Sequence, residues 1–335
     1  MKDLESRRWL AEALRYSKMF ATNSENEVDA AAVSKGRNTS GTLEDKVLAY
    51  ACALPQAQHF LDARYSLKRW GRFSIISAIA LSFLFGSIAV SAAFDIRDGV
   101  YVNVFWLLIA LLGINFISLI IWVLSVAFNK GGMLGHFVFT TAFWLRKKLN
   151  PTPQHVAALH ATLSRGLRGD VGYWRSSALS HGLWGGYLLG TIAGLFLLLA
   201  TKRYEFVWES KILSSDAYLG LTRAMAALPE LVGLIWPDQA MVQSSEWPLK
   251  GSLDPSGRGM WARFLFAGVV LYGLLPRLLL GALSIVLTRH KVTRKHLDLS
   301  HPFYARLIAS LSPIVQTTAI IDQDETSNRP VNRKL

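Results

Sequence analysis

Arg277 is the first residue whose place demands a chemical reason. It stands near the middle of an apolar run from Phe264 to Thr288, twelve residues before Arg289. That separation is about 18 Å along a helix, too far for snorkelling to cover easily. A central arginine costs about 2.5–3.5 kcal/mol on insertion scales, so something should satisfy it. Pro276 precedes it and leaves the carbonyl of Tyr272 without its helical donor. Asn115 lies near the middle of a second apolar run. Arg277, Asn115 and the freed Tyr272 carbonyl are therefore expected to form a polar cluster at mid-depth. Three roles fit such a cluster: a structural lock, a site for an anion or lipid headgroup, or a charge that moves in gating.

Other chemistry finds less support. His290, His296 and His301 are six and five apart, and His155 and His160 are five apart. None of these is the spacing of a helical metal pair. There is no HExxH, paired CxxC, GxxxxGK[ST] or GxSxG pattern. Cys52 is the single cysteine, which excludes an internal disulfide. No catalytic residue, metal or cofactor is assigned, and the chain is not expected to be an enzyme.

The elements that must hold Arg277 are membrane spans. Of 335 residues, 51% are apolar and 18% charged, against about 25% charged in soluble chains. Four runs are long enough to cross a hydrocarbon core, which takes about 20 residues: Phe73–Phe94, Val102–Phe128, Ala178–Ala200 and Phe264–Thr288. The expected fold is all-α, a polytopic membrane protein with amphipathic cytoplasmic helices and a small helical periplasmic loop. The first two spans form a hairpin over 73–128, turning around Asp95, Arg97, Asp98 and Gly99. No apolar core of a signal peptide stands in the first seventy residues, so the first span is expected to insert the chain.

Net charge is +13, and the basic residues flank apolar runs. That pattern argues against nucleic acid as a partner. Arg64, Lys68, Arg69 and Arg72 precede the first span. Lys130, Arg146, Lys147 and Lys148 follow the second, and Arg289, Lys291, Arg294 and Lys295 follow the fourth. With four spans, all three clusters fall on one side, expected to be cytoplasmic together with both termini. Anionic lipids are expected partners there.

The segments between spans follow. In 1–72, Leu4 to Phe20 reads as a basic amphipathic helix. Asn23 to Thr42 reads as a flexible linker. Thr42 reads as the N-cap of another helix, with Asp45 three residues on. In 129–177, Met133 to Leu149 reads as interfacial or re-entrant. A helix opening at Thr152-Pro153 follows, with Val156, Leu159, Leu163 and Leu167 on one side. The loop 201–263 should be periplasmic. It holds a helix from Asp216 to Leu228 stopped by Pro229, and aromatic anchors Trp208, Trp236 and Trp247. Residues 289–335 form a cytoplasmic tail.

In the third span (178–200), Gly182, Gly186, Gly190 and Gly194 recur every four residues. Such a stripe lets two backbones approach closely in lipid. It serves either packing within one chain or a homo-oligomer seam.

Three segments carry a family resemblance: Asn103-Val-Phe-Trp-Leu-Leu to Gly113-Ile-Asn115, Tyr204-Glu-Phe-Val-Trp-Glu-Ser210, and Tyr272-Gly-Leu-Leu-Pro276-Arg277-Leu to Leu280. The chain resembles, from about residue 45 to 320, a bacterial inner-membrane family, domain of unknown function 2868. The resemblance implies a Gram-negative inner-membrane protein and a link with a separately encoded GTPase. It implies no reaction and no catalytic residues, although its pattern coincides with Asn115 and with Pro276-Arg277. The function expected is a membrane anchor or regulatory subunit for a cytoplasmic partner such as a GTPase. The alternative is an oligomeric channel or transporter subunit with Arg277 as its mid-membrane site.

Overall fold

The computed structural model describes residues 2–20, 29–94, 96–97, 101–128, 153–167, 169–209, 214–249 and 255–312. Two compact units emerge. The smaller contains helices α2 (Ala30–Arg37), α3 (Leu43–Ala53) and α12 (Pro302–Leu311). Asp29 caps α2 by accepting from the Ala32 N–H at 2.9 Å, so part of the expected linker is helix. The run Ala30-Ala-Ala lacks bulk but has high helix propensity, and one good cap is enough to start a short helix. Thr42 and Asp45 form a reciprocal capping box at the start of α3. Arg37 donates to the Ser310 carbonyl at 2.7 Å and 2.9 Å.

The larger unit holds four helices long and apolar enough to cross a membrane. The first is α4 (Ala57–Ala93), 37 residues or about 55 Å. Its first turns, to Arg72, carry the charge, and Phe73 onward is apolar. The second is α5 (Val104–Ala127). Ile109, Ile114, Ile117, Ile120 and Ile121 are exposed along it, as apolar a face as a membrane span requires. The third is α7 (Gly169–Thr201). The fourth is continuous over α10 (Pro255–Ala267), a π-helical segment (Gly268–Leu274) and α11 (Leu275–Thr293). Helices α1 (Lys2–Phe20) and α6 (Pro153–Gly166) pack on each other, with the Trp9 indole donating to Thr162 Oγ1 at 3.1 Å. Val156 and Leu163 of α6 are buried. Residues 133–149, Thr152, Asp95, Asp98 and Gly99 lie outside the described residues.

Helices α4 and α7 make the closest contact, and the glycine stripe is the reason. A Cβ on Gly190 would run into the carbonyl of Phe83. One on Gly194 would stand 2.7 Å from the Ser87 carbonyl oxygen, and one on Gly186 3.0 Å from that of Ile79. At Gly182 the nearest atom is 3.9 Å away. From α4, Gly86 meets the Tyr187 carbonyl in the same way. Ser82 and Ser87 donate across the contact to the carbonyls of Leu183 and Gly190 at 2.7 Å and 3.0 Å. The stripe is thus covered by α4 of the same chain.

A three-stranded sheet of very short strands joins the ends of three spans. β1 (Ile96–Arg97) pairs antiparallel with β2 (Tyr101–Asn103), so α4 and α5 form a hairpin. β2 pairs parallel with β3 (Glu205–Val207), which follows α7. Two and three residues carry too little alternation to read as strands in a sequence. Beyond β3 lie α8 (Ser215–Glu230) and α9 (Gln239–Ser244). Trp208 is 1% exposed and donates through its indole to the Val242 carbonyl at 2.6 Å, so it is a core residue rather than a surface anchor. Phe105, Tyr218, Trp261 and Phe264 complete that core. Trp236 packs edge-on against Phe264, and Trp247 packs at a tilt against Tyr101.

Helix α8 runs past Pro229 instead of stopping before it. A proline at this position takes the helical donor away from the carbonyl four residues back, that of Met225. The Tyr272 hydroxyl supplies the replacement, donating to Met225 O at 3.0 Å.

Candidate functional site: a buried arginine among the spans

Arg277, Asn115 and His181 are 1%, 0% and 1% exposed. Arg277 Nε donates to Asn115 Oδ1 at 2.7 Å, and Nη2 donates to the Asn115 carbonyl at 2.8 Å. One asparagine thus grips one guanidinium at two points. Nη1 lies 3.4 Å from His181 Nδ1, and the guanidinium stands 5.0 Å from the centroid of the Trp184 ring. The Trp184 face gives the cation an electrostatic partner without a counter-charge. Among the described residues, no carboxylate bonds to Arg277.

The cluster extends towards the basic end of the bundle. Trp122 packs edge-on against His181, with ring centroids 4.9 Å apart, and donates to Ser177 Oγ at 2.7 Å. Ser177 and Ser284 share a hydrogen bond of 2.9 Å. Asn115 Nδ2 and His181 Nε2 are buried and make no hydrogen bond with the described residues.

Local structure explains why Arg277 points here. In the π-helical segment, the Leu275 N–H bonds to the Val270 carbonyl five residues back. One extra residue in a turn rotates everything downstream by about 100° relative to an unbroken α-helix. Gly268 and Gly273 let neighbouring spans close on the widened turn. A Cβ on Gly273 would lie 2.9 Å from Leu112 and 3.1 Å from Leu188.

Of the expected cluster, the structure joins Arg277 to Asn115 and not to Tyr272. The Arg277 guanidinium bonds to the Asn115 carbonyl in the role expected of the Tyr272 carbonyl. Proline leaves an acceptor at Tyr272, but an arginine side chain reaches outward across the helix interface, and Asn115 offers two acceptors there. His181, Trp184, Trp122, Ser177 and Ser284 were not in the sequence reading. Their one sequence signal is polarity or an aromatic ring inside an apolar run.

At the basic end, Arg165 binds Glu5 at 2.9 Å, Arg8 Nη2 lies 2.8 Å from His296 Nδ1, and Lys291 binds Asp170 at 2.7 Å. Lys295 donates to the carbonyls of Ser164 and Arg165 at 3.1 Å and 3.2 Å. Burial, and then the charge of Arg165, push the Lys295 ammonium below its ordinary value. At the other end is a cleft of about 330 Å³ lined by Glu205, Asp238, Ser244, Arg258 and Trp261. Its charges are engaged locally: Arg258 pairs with Glu205 at 3.2 Å, and Asp238 caps α9.

A family described as a protein of unknown function (DUF2868) has a sequence model that matches residues 146–334, more than half of the chain. The chain belongs to this family. The matched region contains His181, Ser284 and the Pro276-Arg277 pair, and it begins after Asn115. An uncharacterized membrane protein of Neisseria meningitidis serogroup B is 29% identical over 272 residues, covering 81% of this chain and 58% of the relative. The chain therefore spans little more than half the length of that relative. No solved structure matches the chain. As a DUF2868 member with four apolar helices, it is a multi-pass membrane protein of unknown activity.

Proposed function

We propose that the chain is a bacterial inner-membrane anchor or regulatory subunit whose basic, cytoplasmic face carries a soluble partner. The family resemblance makes a GTPase the candidate partner. The observation that carries the proposal is a single basic surface built from separate spans. Lys68, Arg69 and Arg72 of α4, Arg175 of α7 and Arg289 and Arg294 at the end of α11 are all exposed there. Helices α1 and α6 brace this end through Arg165–Glu5 and Arg8–His296. Each Lys or Arg near an anionic leaflet contributes about 1 kcal/mol of attraction, so the same surface holds anionic lipid and an acidic protein face. Placing this end in the cytoplasm follows the charge bias, and it puts both termini on that side. Affinity purification of the full chain from native membranes in mild detergent should recover one cytoplasmic nucleotide hydrolase in stoichiometric amount. Recovery of none would defeat the proposal.

One observation favours a second reading, an oligomeric channel or transporter subunit. Arg277 is a mid-span cation without an acidic partner among the described residues. Against it, the cluster is sealed in this conformation, so conduction would need an opening or a second copy. Ion or anion flux in proteoliposomes above that of an Arg277→Met control would favour this reading over the first.

A further inference from the structure

Helix α8 packs alongside the spans, against α5 and the fourth apolar helix. Asn115 marks the middle of α5, eleven residues after Val104 and twelve before Ala127. Positions along α5 therefore measure depth, at about 1.5 Å per residue. Near the start of α8, the Tyr218 ring packs on Phe105 with centroids 4.5 Å apart. Phe105 is about 15 Å from the middle, where a hydrocarbon core of about 30 Å ends.

The far end of α8 lies deeper. Met225 Cε and Leu108 Cδ1 both close on Gly268, 3.6 Å and 3.1 Å from where a Cβ would stand. Leu108 is only about 10 Å from the middle. Four residues beyond Gly268, the Tyr272 hydroxyl holds the last turns of α8 at the Met225 carbonyl, 3.0 Å, and the Leu228 N–H, 3.5 Å. The chain then reverses at Gly233, whose φ is +75°, with the Leu234 N–H bonded to the Pro229 carbonyl. It returns to Trp236, which packs on Phe264, eight residues back towards the end of the bundle opposite the basic clusters. The path is a hairpin whose closed end descends between two landmarks inside the hydrocarbon.

That closed end is apolar and bare. Leu231, Val232 and Ile235 are 81%, 64% and 71% exposed, and Leu228 and Leu234 add to the patch. In water such a contiguous tip would be an aggregation liability. Beside the turns around Gly268 and Tyr272, within the fourth apolar helix, hydrocarbon is the cover that suits it. Of the charged side chains, Asp216 is exposed at the shallow start and Arg223 is exposed mid-helix, with a stem able to carry its charge upward. Glu230 is the one acid near the tip. It opposes deeper entry and so favours a resting place in the near leaflet.

We infer that α8 and its return form a re-entrant hairpin, with the acyl chains of the leaflet opposite the basic end covering Leu231, Val232 and Ile235. The test uses the full chain with Cys52→Ser and a single cysteine at Leu231, Ile235 or Asp216. A nitroxide is attached and the protein reconstituted in phosphatidylcholine–phosphatidylglycerol vesicles, with collision reagents on both sides. Labels at Leu231 and Ile235 should favour oxygen over a water-soluble nickel complex by a ratio at least about tenfold higher than at Asp216, because hydrocarbon excludes the polar probe. A nickel-favoured response at Leu231 and Ile235 would overturn the inference. So would shielding of both positions from both reagents, which would mean that protein, including a second copy, covers the tip.

Discussion

Replacing Asn115 should cost the chain more than replacing Arg277. Asn115→Leu removes the Oδ1 acceptor of a buried guanidinium, a bond worth about 1.5–3 kcal/mol, keeps only the backbone carbonyl bond and leaves the charge in place. Arg277→Met loses both bonds but removes the charge with them, and apolar replacement of buried ions is often tolerated. The double variant Asn115→Leu/Arg277→Met should recover most of the loss seen in Asn115→Leu alone. Thermal unfolding in detergent gives the order; if Arg277→Met were the worst of the three, a purely structural lock would be ruled out. Lys295 makes a separate prediction. Its folded value lies below 10.5, so the folded chain binds fewer protons there than the unfolded chain. Its contribution to stability therefore rises as pH climbs towards 10.5, and that increment should vanish in Lys295→Met when unfolding is followed against pH. The need for a partner to Arg277 was legible, because a central arginine announces its own cost. The choice of Asn115 O over Tyr272 O was not, because the backbone turn that aims the side chain leaves no mark in residue types.

For the elements, the α4–α7 contact makes the sharpest forecast. Gly190→Ala pushes a methyl into the Phe83 carbonyl, a backbone atom that cannot rotate away. Overpacking of this kind costs about 1–3 kcal/mol or more, while Gly182→Ala meets an ordinary contact at 3.9 Å and should be near neutral. The folded fraction after detergent extraction, measured by size-exclusion chromatography, separates the two; equal behaviour would contradict the packing described. The four-residue glycine period was readable as a close-approach face. Its partner was not, since a stripe on one helix says nothing about which neighbour carries Gly86 and the serines that answer it. Span positions were readable from apolar length to within a turn or two, except where α4, α7 and α10 continue into polar sequence as helix. The expected stop at Pro229 failed because the Tyr272 hydroxyl, 43 positions later in the chain, repairs the orphaned carbonyl.

In the larger unit, exposed Lys and Arg of α4, α7 and α11 gather at one end of the bundle, and an aromatic core with a small sheet closes the other. If the basic end is the docking face, Arg69→Glu/Arg294→Glu should abolish recovery of a soluble partner without changing the unfolding temperature, since both side chains are exposed. Loss of stability instead would assign these residues to the scaffold. The number of spans and the sidedness bias were both available from the apolar runs and their flanks, which are local properties. The sheet was not, because its pairing joins Tyr101–Asn103 to Glu205–Val207 across a whole further span. That pairing also imposes a sequence of events on biosynthesis. After the first hairpin is in the bilayer, the edge of β2 has nothing to bind until α7 has crossed and residues 205–207 have emerged beside it. A nascent chain arrested before that point presents an open strand edge, and the pairing that covers it becomes available only after the third span.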